Sequence, residues 1–437
     1  MPTRQAWRGL MAAIACAYAV LAVAHALTTP VLSSGSLINA PDEPAHLAYV
    51  RALAVGHRLP QRGDREFPTY QWHQPPLYYA LAASVYPLGP VAVRLLGIVF
   101  GLLTLVAIWC GARGLFPGDP GLAALAAGAA ALVPMRQAVT SSVGNDALTE
   151  LLFAASLAVM LRIVLVGLTT RRSIALGALL GAALLTKASG FLLLPMAAAA
   201  LWLATREGTS RSRAAVGAAQ AALVVLALAG PWYARNLRVY GELTPVRSFA
   251  AEFAGTQKAS DWIGKAPLRV DLWSGSLVPG PTMTRTGYEA LVANWSWRTF
   301  WAAYTPLRKA TIGAPDFLPP PYYLLCALIA LSAAAGWLVR RPAIEPAFAT
   351  SQRRASALLA GVALLVLTSF AAFAWTYFQA QGRYLYPAML PLALLGAAGL
   401  RRAAGPARRD AVSLAVLGLL LVLSALFYAA AILPAYA

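Results

Sequence analysis

Long apolar stretches separated by short polar ones dominate the pattern of this chain. Each apolar stretch is close to the ~20 residues that a helix needs to cross a bilayer. Eleven stretches fit this length, at residues 8–28, 90–112, 121–139, 147–167, 173–187, 189–205, 214–235, 320–340, 355–378, 383–400 and 411–433. The pattern therefore predicts an all-α polytopic membrane protein, a bundle of about 11 transmembrane helices.

The basic residues between these stretches are unevenly distributed. If every stretch crosses the membrane, the short basic loops all fall on the side of the N-terminus. These loops contain Arg113, Arg171, Arg172, Arg206, Arg211, Arg213, Arg340, Arg341, Arg353, Arg354, Arg401, Arg402, Arg408 and Arg409. Cytoplasmic loops carry an excess of Lys and Arg, so the N-terminus is predicted to be cytoplasmic. The expected location is the cell (inner or plasma) membrane.

Two long segments, 29–89 and 236–319, then lie on the outer side. We expect them to cap a site within a single membrane-embedded domain, 1–437. The first contains two predicted helices, 44–55 and 76–86, and the apolar spacing of 44–55 is that of an amphipathic helix on the membrane surface. The second contains aromatic residues among cations, which fits either an interfacial anchor or a stacking surface for sugar or lipid. These aromatic residues are Trp295, Trp297, Trp301 and Tyr304.

Composition agrees with a membrane protein. The 437 residues are 59% hydrophobic and 12% charged. The net charge of +19 does not indicate a nucleic-acid partner, because the basic residues are spread over the short loops. The three cysteines, Cys16, Cys110 and Cys326, lie in apolar stretches and show no disulfide or metal spacing.

Carboxylates are scarce, and several are predicted at the outer face. Asp42 and Glu43 follow the first apolar stretch, where they fit either a helix N-cap or a catalytic carboxylate. Asp146 and Glu150 are four residues apart and share a helix face. Glu150 fits either a functional site or an ion pair with Arg136 or Arg94.

Cations are predicted at the same face: Lys187, Arg235, Arg238 and Arg383. Each fits a snorkelling side chain, but a converging set would bind phosphate. Carboxylates and phosphate-binding cations outside the cytoplasm indicate group transfer from a lipid phosphate, because soluble nucleotide donors are confined to the cytoplasm. Glycosyl transfer needs one carboxylate base and positive charge on the departing phosphate.

Six short motifs occur in order along the chain: PDEPAH (41–46), HQPPLYY (73–79), ND (145–146), LLTK (184–187), PWYARN (231–236) and QGRYLYP (381–387). With them the chain resembles the GT-C superfamily of polyprenyl-phosphate-sugar-dependent glycosyltransferases. The likeness is to the branch with protein O-mannosyltransferases and lipid A aminoarabinose transferases, and most of all to a bacterial group of predicted membrane proteins in that superfamily.

The resemblance implies that Asp42 is the catalytic base, that Asp146 belongs to a second acidic motif, and that Lys187 and Arg383 hold the donor phosphate. We add Glu43 to the catalytic set and Arg235 to the phosphate ligands. Substrate-binding residues are expected in and beside the motifs, at His46, His73, Gln74, Tyr78, Asn145, Glu150 and Tyr384.

No cofactor is required by this chemistry, although Glu43 and His46 are spaced to face one divalent ion together with Asp42. The expected partners are a polyprenyl-phosphate-linked sugar, a lipid, glycan or protein acceptor, and membrane lipids. Two alternatives remain, a lipid or polysaccharide transporter (flippase) and a noncatalytic anchoring protein. A transporter would place its charged groups near the bilayer midplane.

Overall fold

The computed structural model describes residues 2–31, 42–304, 316–338 and 349–436. Its helices as far as the middle of the chain are α1 (Arg4–Thr28), α2 (Glu43–Ala54), α3 (Leu77–Val85), α4 (Pro90–Leu115), α5 (Pro120–Ala131), α6 (Pro134–Thr140), α7 (Asp146–Val166), α8 (Thr170–Leu184) and α9 (Leu193–Thr205). Short 3₁₀ helices lie at Tyr70–His73, Tyr86–Leu88 and Ala188–Leu192.

The remaining helices are α10 (Arg211–Tyr240), α11 (Val246–Glu252), α12 (Ala259–Trp262), α13 (Arg285–Trp301), α14 (Pro320–Leu338), α15 (Ala349–Thr376), α16 (Met389–Ala404), α17 (Arg409–Phe427) and α18 (Leu433–Tyr436). A 3₁₀ helix at Gly382–Ala388 precedes α16, and a π-helix at Tyr428–Ile432 follows α17. Two antiparallel pairs are formed by β1 (Leu268–Val270) with β2 (Leu277–Pro279), and by β3 (Ala303–Tyr304) with β4 (Asp316–Phe317).

The predicted all-α membrane bundle is confirmed, but the predicted count of eleven spans is not. In the described residues, eight helices are long and apolar enough to cross a membrane, and nine if α5 and α6, bent by 64°, form one span. The predicted spans 173–187 and 383–400 correspond to α8 and α16, which have only 15 and 16 residues. Both are shorter than the ~20 residues expected of a span, so the count stays unconfirmed at these two helices.

Close helix contact in the bundle depends on small residues. Where α14 crosses α16, a Cβ atom added at Gly336 would lie 1.8 Å from the carbonyl oxygen of Gly399. Neither glycine can therefore be replaced without separating the two helices. Small residues at such a crossing are typical of helices packed in a membrane.

A second, smaller core lies in the long segment between α10 and α14. Trp262, Tyr288, Leu291 and Trp295 are buried together there. Trp295 is therefore a core residue, which contradicts both interpretations of it as an exposed aromatic. The two helices predicted in the first outer segment are confirmed as α2 and α3, and the apolar residues of α2 pack into the main core.

Candidate active site

Asp42 occupies the N-cap position of α2, but its side chain does not cap the helix. Its φ of 68° is left-handed, and its carboxylate accepts no capping hydrogen bond within the described chain. Such a backbone is costly for a residue other than glycine. The carboxylate instead accepts hydrogen bonds from Tyr70 Oη (2.7 Å, at Oδ1) and Arg383 Nη2 (2.8 Å, at Oδ2). Asp42 therefore lies at the N-cap position, but its side chain does not cap the helix as the N-cap interpretation requires.

Asp146 is the first residue of α7, and its carboxylate contacts two of the predicted cations, Lys187 and Arg383. Lys187 Nζ lies 2.5 Å from its Oδ1, and Arg383 Nη1 lies 3.3 Å from its Oδ2. Arg383 therefore bridges Asp42 and Asp146. We call these four residues, Asp42, Asp146, Lys187 and Arg383, the acid–base network. The two positive and two negative side chains balance one another.

The turn that carries Lys187 is held from three directions. Leu77 N donates to Leu185 O (2.8 Å), Asn145 Nδ2 donates to Thr186 O (3.2 Å) and Tyr233 Oη donates to Leu184 O (3.0 Å). Helices α3, α7 and α10 thus meet at this turn. Lys187 follows in extended conformation and reaches Asp146.

Arg383 is placed by a close approach of its 3₁₀ helix to α13. A Cβ atom on Gly382 would lie 2.3 Å from Phe300 N, and Gly382 N donates to Thr299 Oγ1 at 2.7 Å. Gln381 then accepts a hydrogen bond from Arg383 Nε at 2.8 Å. The remaining nitrogens of the guanidinium are left for the two carboxylates.

Exposure and charge distinguish Asp42 within the network. Its side chain is 34% exposed, compared with 18% for Asp146. Burial favours its neutral form, but the charge of Arg383 and the hydrogen bond from Tyr70 outweigh burial, so the pKa of Asp42 lies below its usual value. Asp42 is therefore an ionised, accessible carboxylate at neutral pH.

Glu43 does not join the acid–base network, and none of its contacts supports the predicted catalytic role. Its carboxylate is 1% exposed and accepts two hydrogen bonds from fully buried Arg94, at 2.8 and 2.7 Å. Val143 N donates a third at 2.8 Å. Arg94 also donates to the carbonyls of Ala26, Thr29 and Pro30. Glu43 joins the start of α2 to α1, α4 and the segment before α7.

Glu150 is likewise held in a buried ion pair, and its predicted contact with substrate stays a prediction. It is buried and accepts a hydrogen bond from Arg136 Nε at 2.7 Å. The alternative of an ion pair with Arg136 is therefore confirmed. The ion pair lies between α6 and α7, one turn below Asp146 on the same helix.

The remaining predicted substrate residues form the wall beside the network. His46 Nδ1 lies 2.8 Å from Tyr79 Oη, and burial lowers the pKa of His46 to about 4, which keeps its ring neutral. Tyr78 Oη is buried and accepts a hydrogen bond from Gly144 N at 2.9 Å. Substrate contact by these two residues stays a prediction.

His73, Gln74 and Asn145 are linked in a row. His73 Nε2 lies 3.0 Å from Gln74 Nε2, and Gln74 Oε1 accepts a hydrogen bond from Asn145 Nδ2 at 3.1 Å. Burial also lowers the pKa of His73 to about 4. The ring of Tyr384 lies under both cations of the network, 5.8 Å from Lys187 Nζ and 5.3 Å from Arg383 Cζ. The row and this ring border the acid–base network, and their contact with substrate stays a prediction.

Arg235 does not join Lys187 and Arg383 in the network. Its guanidinium lies over the rings of Trp232 (5.1 Å) and Tyr240 (5.8 Å), and its Nη1 donates to Asn236 Oδ1 at 3.3 Å. The predicted convergence of cations is thus met by two of three residues. Both aromatic residues lie on α10 with Arg235, three and five positions from it, so the guanidinium is held by its own helix.

The metal hypothesis is not supported by the placement of its ligands. Among the described residues, no three His, Cys, Asp or Glu side chains are placed to hold a metal ion. Glu43 faces Arg94 and His46 faces Tyr79, so neither turns to Asp42 as a shared ligand. Glu43 and His46 both lie on α2, as their spacing predicted, but their side chains do not face one ion.

Sequence reasoning missed Tyr70, Gln381 and Arg94. Tyr70 is fixed beside Asp42 because Thr69 Oγ1 donates to Ala45 O of α2 at 2.6 Å. Tyr70 lies three positions before His73, and Gln381 is the first residue of the QGRYLYP motif that contains Arg383. Their position in or near a motif was the available signal for Tyr70 and Gln381. Arg94 was considered only as an ion-pair partner of Glu150, whereas it pairs with Glu43.

A family model described as dolichyl-phosphate-mannose-protein mannosyltransferase matches residues 73–234. This match over part of the chain supports the predicted glycosyltransferase. The match contains the motifs around His73, Asn145 and Lys187, and it ends within the motif of Arg235. The comparison with curated proteins gives no match.

Solved structures show the fold. The oligosaccharyltransferase of Archaeoglobus fulgidus, solved with zinc and sulfate, is 14% identical, with a TM-score of 0.54 over 96% of this chain and 53% of that chain. The AglB oligosaccharyltransferase of the same organism, solved with an inhibitory peptide and dolichol-phosphate, is 13% identical, with a TM-score of 0.54 over 97% and 56%. This chain thus spans about half the length of these relatives. ArnT from Cupriavidus metallidurans, bound to undecaprenyl phosphate, is 17% identical, with a TM-score of 0.44 over 91% and 78%.

Proposed function

We propose that this glycosyltransferase moves a sugar from a polyprenyl-phosphate donor to an acceptor hydroxyl at the extracytoplasmic face of the membrane. The observation that carries the proposal is the acid–base network itself. It joins an accessible, ionised carboxylate to a second carboxylate through one guanidinium. Four separate segments of the chain contribute to it, and the adjoining Glu43 is removed from it by Arg94.

In the proposed reaction, Asp42 accepts the proton of the acceptor hydroxyl. The hydroxyl oxygen forms a bond to the anomeric carbon as the bond from that carbon to the phosphate oxygen breaks. The phosphate leaves with the electron pair, so it needs no proton from a second acid. Attack from the side opposite the phosphate makes the reaction inverting. Tyr70 and Arg383 leave lone pairs of the Asp42 carboxylate available for the acceptor.

Asp146, Lys187 and Arg383 have distinct parts in this scheme. Arg383 holds Asp42 and Asp146 at a fixed separation, and Asp146 orients the acceptor. Lys187 and Arg383 place positive charge beside the reacting groups, where negative charge develops on the departing phosphate. Preorganised charge of this kind acts without further rearrangement at the moment of reaction.

The proposed orientation follows the basic loops, with the N-terminus in the cytoplasm of a cell-membrane protein. A single cysteine at exposed position 63, in an otherwise cysteine-free chain, should react with an impermeant thiol reagent in intact cells. A single cysteine at exposed position 211 should be protected until the membrane is opened. The reverse pattern would place the acid–base network on the cytoplasmic side.

The function is tested most broadly by mass spectrometry of cell-envelope glycans with and without the gene. Loss of one glycosyl substituent without the gene, restored by the wild-type gene but not by an Asp42→Asn gene, is the expected result. Identical glycans in all strains, or restoration by the Asp42→Asn gene, would contradict it.

A further inference from the structure

The turn between β1 and β2 exposes two large apolar side chains. Leu272 is 62% exposed and Trp273 is 58% exposed, and the two residues are adjacent in the chain. Single exposed apolar residues are common on protein surfaces, whereas a contiguous apolar patch marks contact with another surface. We call residues 271–275 the exposed turn. Its tryptophan is not among the aromatic residues that the sequence predicted as an anchor or a stacking surface.

Helix α13 holds the backbone of the exposed turn in place. Arg298 Nη2 donates to the carbonyl oxygens of Leu272 and Trp273, at 3.2 and 2.5 Å. Trp295 Nε1 donates to Gly275 O at 2.7 Å. Arg298 is only 3% exposed, and a buried guanidinium is costly unless its hydrogen bonds are made. The protein thus fixes the carbonyls of the turn and leaves the two apolar side chains exposed.

Helix α13 also lies across the ends of two membrane-spanning helices. Near its start, Tyr288 Oη donates to Ala374 O at 2.5 Å, in the last turn of α15. At its other end, Arg298 Cζ lies 4.5 Å from the ring of Tyr323, in the first turn of α14, and Tyr323 Oη donates to Ala302 O at 2.5 Å. Both α14 and α15 are long and apolar enough to cross a membrane. The exposed turn therefore lies close to the level at which these two helices leave the bilayer.

The exposed turn adjoins the lipid-facing surface of α14. Leu324, Leu328 and Leu331 of this helix are 49%, 60% and 65% exposed, as expected of side chains in contact with lipid. A Cβ atom on Gly275 would lie 2.7 Å from the ring of Phe317, which precedes the first residue of α14 by three positions. The apolar side chains of the turn thus continue an apolar surface that begins inside the bilayer.

The 3₁₀ helix that contains Arg383 is held by the same end of α13. Thr299 Oγ1 accepts a hydrogen bond from Gly382 N at 2.7 Å, and Phe300 O accepts one from Tyr386 Oη at 2.9 Å. The two acceptors directly follow the arginine that holds the exposed turn. An anchor at the turn therefore fixes the position of this helix relative to the membrane.

We propose that the exposed turn inserts Leu272 and Trp273 into the lipid headgroup region and anchors α13 to the membrane surface. The partner is the bilayer itself, in the outer leaflet under the proposed orientation. Tryptophan favours this interface because its ring system is largely apolar and its N–H is polar. Asp271 limits the depth of insertion, because its carboxylate, which accepts hydrogen bonds from Trp273 N and Ser274 Oγ, stays in polar surroundings. A membrane anchor does not depend on sugar transfer, so it stands apart from the proposed function.

The test measures the depth of a fluorophore attached to the exposed turn. The label is carried by Ser274→Cys in an otherwise cysteine-free full chain, which keeps Leu272 and Trp273, and the chain is reconstituted in phosphatidylcholine vesicles. Bromine atoms on the lipid acyl chains quench fluorophores that lie at the same depth. Quenching should be stronger with bromines close to the headgroups than with bromines close to the chain ends. Iodide in the water should quench the label only weakly.

A double substitution separates insertion by the protein from insertion by the fluorophore. The same label in a chain with Leu272→Ser and Trp273→Ser should lose most of its quenching by brominated lipid and become accessible to iodide. Both side chains are exposed, so the unfolding midpoint of this chain in detergent should stay the same.

Two other labelled positions provide references. Lys265 precedes β1, at the opposite end of the hairpin from the exposed turn, and its side chain is 65% exposed. A label at Lys265→Cys should respond to iodide and not to brominated lipid. A label at Leu328→Cys, on the exposed face of α14, should respond to brominated lipid and not to iodide.

Three results would overturn the anchor. A label at position 274 that iodide quenches as strongly as the label at position 265 would place the turn in water. Protection from both iodide and brominated lipid would show that protein covers the turn, either another part of this chain or a second copy. Equal quenching by brominated lipid with and without the double substitution would show that Leu272 and Trp273 do not carry the insertion.

Discussion

The buried ion pair between Glu43 and Arg94 predicts a large loss of stability when Glu43 becomes neutral. Arg94 is fully buried and Glu43 is 1% exposed, so Glu43→Gln leaves a guanidinium charge without its counter-charge in the protein interior. The substitution also disturbs two hydrogen bonds from Arg94 and one from Val143 N. Breaking one partner of a buried pair costs about 3–5 kcal/mol. We expect a loss of this size in the free energy of unfolding.

The assay is unfolding of the purified full chain in detergent, with Glu43→Gln, Arg94→Met and both together. Each single variant should be strongly destabilised, and the double variant should lose less than the sum of the two, because no unpaired charge remains. The coupling of the two substitutions separates an ion pair from two independent losses. A Glu43→Gln chain that unfolds like the wild type but no longer transfers sugar would refute this reasoning and return Glu43 to the catalytic set.

Two further predictions concern the acid–base network and its wall. Burial lowers the pKa of His46 from 6.5 to about 4, so the unfolded chain binds a proton first as pH falls. The free energy of unfolding should therefore decrease as pH falls from about 6.5 to 4, and it should decrease less steeply in His46→Gln. The measurement is the unfolding midpoint against pH, and equal slopes in the wild type and His46→Gln would contradict this prediction. Arg383→Lys should lower turnover about tenfold or more although the charge remains. The reason is that an ammonium group replaces the planar guanidinium that bridges Asp42 and Asp146. Turnover equal to that of the wild type would show that the bridge is dispensable.

The fold was largely predictable because length and apolarity decide whether a helix can cross a bilayer. The count of eleven spans is not confirmed at α8 and α16, which have only 15 and 16 residues. The first residues of the predicted span 383–400 do not belong to α16. They form a 3₁₀ helix, which contains Arg383. Hydrophobicity alone cannot distinguish residues that face lipid from residues packed inside a protein.

The sequence predicted many of the residues at the site, but it did not predict which of them contact each other. Asp42 and Glu43 are neighbours in the sequence, and both fit a catalytic carboxylate there. They separate only because Arg94, 51 residues further along, binds Glu43. Pairing depends on long-range packing, which local sequence patterns do not contain.

The central claim is that Asp42 is the base in transfer of a sugar from a lipid phosphate. The direct measurement is release of polyprenyl phosphate by the purified chain from a panel of radiolabelled polyprenyl-phosphate sugars, with an acceptor extract. The wild type should release it from at least one donor. Asp42→Asn should release it about 10²–10⁴ times more slowly while the chain stays folded and its donor affinity stays the same. Release by Asp42→Asn at the wild-type rate, or no release by the wild type from any donor, would contradict the account.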